Sequence, residues 1–308
     1  VTASNALALG TGAANISSGA QIFLSATAGP YTNAFTIAGD GSPLTTNETD
    51  SANLVGALRY AGAFTTGTIT VNAAGARIGA LNTIFGYHFG ALNGTGNLNI
   101  NSSTTNHSGT IFLMGDASAY TGTMTVSQGT VRLGSTSIGG SVSVADAGKI
   151  YLNNISKTDA SPAIGTDPGA TRSLTLGSST GTQVYIDPST TNATAVNGNL
   201  SLLGTSTINL TAAHPGIDTT ILTYTGSLSG TTTNVTLPGG LASYRSGTGF
   251  SIVAGSPNQL RLNIVSENLV WNGNANSNWN STDANWTATT FVNGDNVRFD
   301  DSPIAAGP

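Results

Sequence analysis

The chain has 308 residues, 14 acidic against 9 basic, with 38% hydrophobic and only 7% charged residues, 40 Gly and no Cys. A net charge of -5 spread so thinly offers no basic field for nucleic acid, no apolar run is long enough to insert into a bilayer, and a disulfide framework or thiolate metal site has no Cys to build it. In place of Lys, Glu and Arg stand 47 Thr, 33 Ser and 30 Asn, a choice that removes the builders of solvent-facing helices and leaves those of pleated strands and tight turns.

The opening, VTASNALALGTG, has no Met and no basic or apolar leader, and is read as continuing from sequence upstream. Short apolar/polar alternations follow: AFTIAGDG at 34–41, GTITVNAAGARIGA at 67–80, GNLNINSS at 96–103, TMTVSQGTVRLG at 123–134 and SVSVADAGKIYL at 141–152. SLTLGS, QVYID, NLSLLGTSTINL, TILTYTGSLSG and QLRLNIV keep the same habit, broken by Gly, Asn, Asp or Ser turns. Alternation sends Ile69 and Val71, Met124 and Val126, Val142 and Val144, and Leu200 and Leu202 inward, with their Thr, Ser and Asn neighbours facing water.

Such strands suit either a β-sandwich or a stacked β-solenoid. Internal echoes favour the solenoid. ANISSGAQIFL at 14–24 and VSVADAGKIYL at 142–152 share one pattern, and GTITVNAAGARIGA and GTMTVSQGTVRLGS both read as strand, Gly-containing corner, strand, with Arg77 and Arg132 in matching places. A unit that cannot enclose its own apolar face stacks on copies of itself. The fold expected is therefore all-β, a parallel β-helix over 1–265, followed by a short Trp-containing β segment over 266–308.

Several phrases carry a family resemblance. YTGTMTVSQGTVRLG at 120–134 resembles the autotransporter-associated, or passenger-associated, β-strand repeat of large bacterial secreted proteins, and GALRYAGAFTTGTITVNAAGARIG at 56–79 and LTYTGSLSGTTTNVTLPGGLASY at 222–244 resemble other segments of such proteins. So does LVWNGNANSNWNSTDANWTATTFVNGDNVRFDD at 269–301. The resemblance implies a right-handed parallel β-helix, an extracellular or cell-surface location, and one period of a longer tandem array. Within these 308 residues the lipid-facing barrel of the autotransporter pattern is not read, which leaves the export route open. At about 4.8 Å per coil, ten to twelve coils of roughly 22 residues would make a rod on the order of 50 Å long. No dedicated cap is visible at either end, so the strand edges there are expected to be satisfied by further copies, joined head to tail in an open filament.

Catalysis is not expected. His88, His107 and His214 stand in unrelated contexts with no carboxylate at metal-ligand spacing, and no HExxH, GxSxG, Walker loop or dinucleotide fingerprint occurs. Asp295, Asp300 and Asp301 with Asn293 and Asn296 lack the order of a Ca²⁺ loop and read as turn carboxylates, as do Asp40 and Asp116. No metal or cofactor is assigned. The candidate assembly or packing residues are Trp271, Trp279 and Trp286, the only Trp in the chain, with Phe291 and Phe299. They read as a small local core, with sugar stacking or strand addition to a neighbouring subunit as the alternatives. The function expected is a structural unit of a bacterial surface fibre that partners copies of itself; the alternative is an adhesin or carbohydrate-binding passenger that contacts surface glycans.

Overall fold

The computed structural model describes residues 1–25, 30–42, 55–101, 107–134, 137–152, 163–166, 172–188, 193–214, 216, 218–273, 275–287 and 289–299. The chain is all-β: apart from two 3-10 turns, Thr232–Asn234 and Leu241–Ser243, every regular element among these residues is a strand. Nineteen strands join in one sheet, and every pairing inside it is parallel. A sandwich of hairpin-connected antiparallel strands is thereby excluded.

Pairing follows three lines. The first runs from Ala14–Ile16 through Phe35–Gly39, the first half of Ile69–Ala80 and Leu92–Gly94, and continues by single bridges at Ile138 to Ala163–Ile164, Thr194–Val196 and Thr219–Tyr224. The second takes Thr2–Ala3, Ile22–Ser25, Leu58–Ala61, the second half of Ile69–Ala80, Leu98–Ile100, the first halves of Thr123–Leu133 and Ser141–Tyr151, then Arg172–Leu176, Gly198–Leu202 and Leu228–Ser229. The third takes Phe64–Thr65, Phe85–His88, Thr110–Leu113, the second halves of Thr123–Leu133 and Ser141–Tyr151, then Thr180–Ile186, Thr205–Leu210 and Val235–Thr236.

In-register pairing turns the alternation of each strand into apolar columns. Leu98, Met124, Val142, Leu174, Leu200 and Leu228 lie on one such column, and Ile111, Val131, Ile150, Val184 and Ile208 on another. All but Leu228 are at most 1% exposed. The eight residues expected to point inward are likewise buried. Each such side chain contributes roughly 1.5–3 kcal/mol relative to exposure. Successive members of the first column are 26, 18, 32, 26 and 28 residues apart, longer on average than the coil expected, because the turns between lines carry extra residues.

Long strands pass from one line to the next at a corner. In Thr123–Leu133 the register shifts between Val126 and Gln128, and Gly129 follows with φ +69°, where a Cβ would stand 2.5 Å from the Gly109 carbonyl oxygen. Gly75 does the same for Ile69–Ala80 with φ +84°. Asn101 reaches the left-handed region without being Gly, at φ 58°. Its Oδ1 accepts from the Ala80 N–H at 2.9 Å while its Nδ2 donates to the Gly109 and Gln128 carbonyls, each at 3.0 Å. One side chain thus ties three successive levels together.

Two expectations need correction. Arg77 and Arg132 do not occupy matching places: Arg77 pairs with Asn99 on the second line and Arg132 with Phe112 and Tyr151 on the third. The echoing phrases share the form strand, corner, strand, but one spans the first and second lines and the other the second and third. An end without a cap is also not what is found after residue 236. There the chain leaves the parallel stack, and Gly249–Val253 and Asn258–Asn263 form a hairpin whose second strand pairs antiparallel with Thr219–Tyr224. Leu241, Tyr244, Phe250 and Ile252 from this part pack on the core.

Candidate functional site

The five aromatic residues singled out in the sequence come together. Trp286 stacks on Phe291 with ring centres 5.4 Å apart, and Trp279 meets Trp286 at 6.4 Å and Phe299 at 5.2 Å, while Trp271 lies 6.1 Å from Phe299. Trp286 is 5% exposed and donates its indole N–H to the Asn280 carbonyl; Trp279 and Phe299 are 60% and 53% exposed. The segment's short strands, Asn268–Trp271 and Asn296–Phe299, pair parallel with each other within the chain.

Little regular structure supports this cluster, and polar side chains take its place. Asn285, fully buried, accepts from the N–H groups of Ala275 and Asn276 and donates to Asn276 Oδ1 and the Asn278 carbonyl. Asp283 accepts from the side-chain amides of Asn280, Asn276 and Asn278. These bonds, that from Asn280 foremost, hold its carboxyl below the ordinary carboxylate range.

Asp295 is a structural anchor rather than a metal ligand. Arg245, beyond the last parallel strand, donates to it through Nε at 2.6 Å and Nη2 at 2.7 Å, and the N–H groups of Val292 and Glu267 fill its remaining positions. The Asp295 side chain has no exposed surface. This bidentate pair locks the Trp segment to the end of the stack. Asp300 and Asp301 lie outside the described residues. Asp116 accepts from the Ser118 N–H two residues on, as a turn former does, whereas Asp40 faces Arg77 at 3.4 Å.

The His residues stay apart. His88 is buried: Nε2 donates to the Ala91 carbonyl, which fixes the tautomer, and Nδ1 accepts from Thr65, whose hydroxyl in turn meets Tyr60. Burial lowers its pKa to about 4. His214 has Nε2 on the Leu262 carbonyl and Nδ1 on the Gly216 N–H, leaving no free base. His107 is fully buried. Among the described residues no three His, Asp or Glu gather as a metal site.

A second cluster lies on the outer surface of the third line, where sequence reasoning did not look. Pairing places Phe64, Tyr87, Phe112, Arg132, Tyr151 and Tyr185 on consecutive levels. The rings stack at 4.7 Å, 4.5 Å and 4.1 Å for the pairs Phe64–Tyr87, Tyr87–Phe112 and Tyr151–Tyr185. Arg132 fills the gap, its guanidinium 5.4 Å from the Phe112 ring centre and 4.0 Å from that of Tyr151. Phe85 and Phe89 flank Tyr87, and with Phe64 they are 46%, 46% and 39% exposed. The signal was present in the triplets IFL at 111–113, VRL at 131–133, IYL at 150–152 and VYI at 184–186, whose middle residue alternation sends outward. Aligning them as one row requires the lengths of the intervening turns.

Comparison with protein-family models, with curated proteins and with solved structures finds no match for this chain.

Proposed function

We propose that this chain is a structural β-solenoid of the autotransporter-associated repeat kind, a non-catalytic unit of an extracellular bacterial fibre assembled head to tail. The observation that carries the reading is the run of parallel pairings along three lines, each strand lying against its counterpart one turn later. Strands added in one direction make two unlike ends, and a contact between unlike ends need not close. The antiparallel strand Asn258–Asn263 covers only the first line; beyond Leu228–Ser229 and Val235–Thr236 no further strand is paired among the described residues. On the second and third lines the chain after residue 236 packs on the core without adding a strand, and a following unit docks over it. The scattered, internally bonded His residues also support a structural role over a catalytic one.

Electron microscopy of the purified chain at rising concentration tests this reading. Filaments of constant width are expected, and dispersed single particles at every concentration would refute it. The second reading, a glycan-binding passenger, rests on the exposure of Trp279, which meets its aromatic neighbours at steep angles of 64° and 77°. A glycan screen that registers binding, lost on Trp279→Ala with the fold intact, would favour it.

A further inference from the structure

The outer surface of the third line has a polarity that its stacking alone does not need. Its central row runs Phe64, Tyr87, Phe112, Arg132, Tyr151, Tyr185, and the flanking row, in register with it, runs Phe85, Thr110, Thr130, Lys149, Gln183. The lower half is aromatic; both cations sit in the upper half. Neither Arg132 nor Lys149 has a carboxylate partner among the described residues. The rings are stacked within 19° of parallel where they follow one another, so they cover each other's faces and turn edges outward. A sugar needs an open ring face, and this row offers few.

We propose that this surface binds the same surface of a second copy of the chain, with the two stacks antiparallel. A row bearing one side chain per level stays in step over six levels only with a partner of the same repeat, and a second copy has that repeat. A half turn about an axis along the strands sets Phe64 against the partner's Tyr185, Tyr87 against its Tyr151, Phe112 against its Arg132, and Phe85 against its Lys149. Lys149 then meets Phe85, whose ring stands out of the stack, tilted 39° and 58° to Tyr87 and Phe112 and 46% exposed, while Arg132 keeps its own Phe112 and Tyr151 and does not lie opposite the partner's Arg132. Parallel stacks would instead place Arg132 against Arg132, which like-charge repulsion disfavours.

The contact is small. Six levels at about 4.8 Å, some three side chains wide, bury about 500 Å² per copy, at the bottom of the range for specific interfaces. Pairing of single chains is therefore weak, with Kd in the micromolar range or above, and it becomes firm where many units lie along one fibre. The proposal does not depend on filament formation, because lateral pairs form whether or not the ends join.

Sedimentation velocity of the full chain from about 1 μM to about 1 mM tests it, with far-UV circular dichroism to show each variant folded. A reversible monomer–dimer equilibrium is expected. Phe85→Lys, which sets Lys against the partner's Lys149, should raise Kd at least about ten-fold. Phe85→Glu should instead keep the dimer and make it salt-sensitive. A nitroxide on Gln183→Cys, in a chain otherwise free of Cys, should sit about 25 Å from its counterpart, five levels away. A monomer throughout, equal effects of Lys and Glu at position 85, or labels closer than about 15 Å would each overturn the proposal.

Discussion

The parallel stack and the Trp segment draw on the same charge-poor composition and hold themselves together differently. In the stack, Thr, Ser and Asn face water while aliphatic columns such as Leu98, Met124, Val142, Leu174 and Leu200 make the core. In the segment, Asn and Asp side chains do what a ladder of backbone bonds does elsewhere, closing the loop between residues 275 and 285 around Trp286. Stability that comes from stacked columns is shared along the line, so damage at one level should reach the levels beside it. Stability from a local polar net ends where the net ends. The chain carries its own probes for the contrast: all three Trp lie in the segment and all eight Tyr outside it. Indole fluorescence therefore reads the segment, and far-UV circular dichroism reads the stack.

The largest effect should come from a charge in the columns. Val144 is 1% exposed, and Val144→Asp both removes an apolar contact and leaves a carboxylate with no partner. The cost is on the order of 5 kcal/mol or more, seen as a lower denaturation midpoint by circular dichroism. If the midpoint does not move, the columns are not what holds the stack. Next comes the joint between the two regions. Arg245→Ala leaves Asp295 buried beside N–H groups alone, at a cost of about 3–5 kcal/mol. The fluorescence transition should then separate from the dichroism transition and precede it; a single merged transition would show that the lock does not couple the regions.

What could be read in the sequence divides along the same boundary. Period-two alternation was enough for the all-β class and for the inward side chains, since Ile69, Val71, Met124, Val126, Val142, Val144, Leu200 and Leu202 depend only on local geometry. Phase was not legible. Ile69–Ala80 and Thr123–Leu133 look alike because any two neighbouring lines are joined by a strand, a Gly corner and a strand, and nothing local says which two. The outer aromatic row was lost for the same reason. In the segment the clustering of Trp271, Trp279, Trp286, Phe291 and Phe299 follows from their proximity in sequence. The partner of Asp295 does not, since Arg245 stands 50 residues away.

Acid should separate the regions in another way. The folded stack holds His88 neutral with a pKa of about 4, whereas the unfolded chain takes up the proton near the free value of 6.5. Stability is thus complete above about pH 6.5, falls as pH drops from there to about 4, and levels off below, for a total loss of roughly 3 kcal/mol. His88→Gln should flatten most of this slope, with His214, whose pKa burial also lowers, contributing to what is left. The segment contains no His. Asp283 is held below the free carboxyl value of 3.8, so its contribution is lost only as pH falls beneath that value. A fluorescence transition that weakened between pH 6.5 and 4 ahead of the dichroism transition would contradict this assignment.

The smallest effect is the most local. Asn285 makes four hydrogen bonds from a side chain with no exposed surface. Asn285→Ala abandons two backbone N–H groups, those of Ala275 and Asn276, which donate to no other group among the described residues. The penalty is about 1–3 kcal/mol, the loss of two hydrogen bonds whose part-buried donors can in part turn to water. The indole emission of Trp286, whose ring N–H depends on the Asn280 carbonyl inside the same net, should shift to the red at lower denaturant than in the parent chain. The dichroism midpoint should stay where it was, because no column passes through Asn285 and the Arg245–Asp295 pair lies outside the net. If Asn285→Ala lowered both midpoints together, the polar net would be bearing on the stack as well, and the two regions would have to be treated as one cooperative unit.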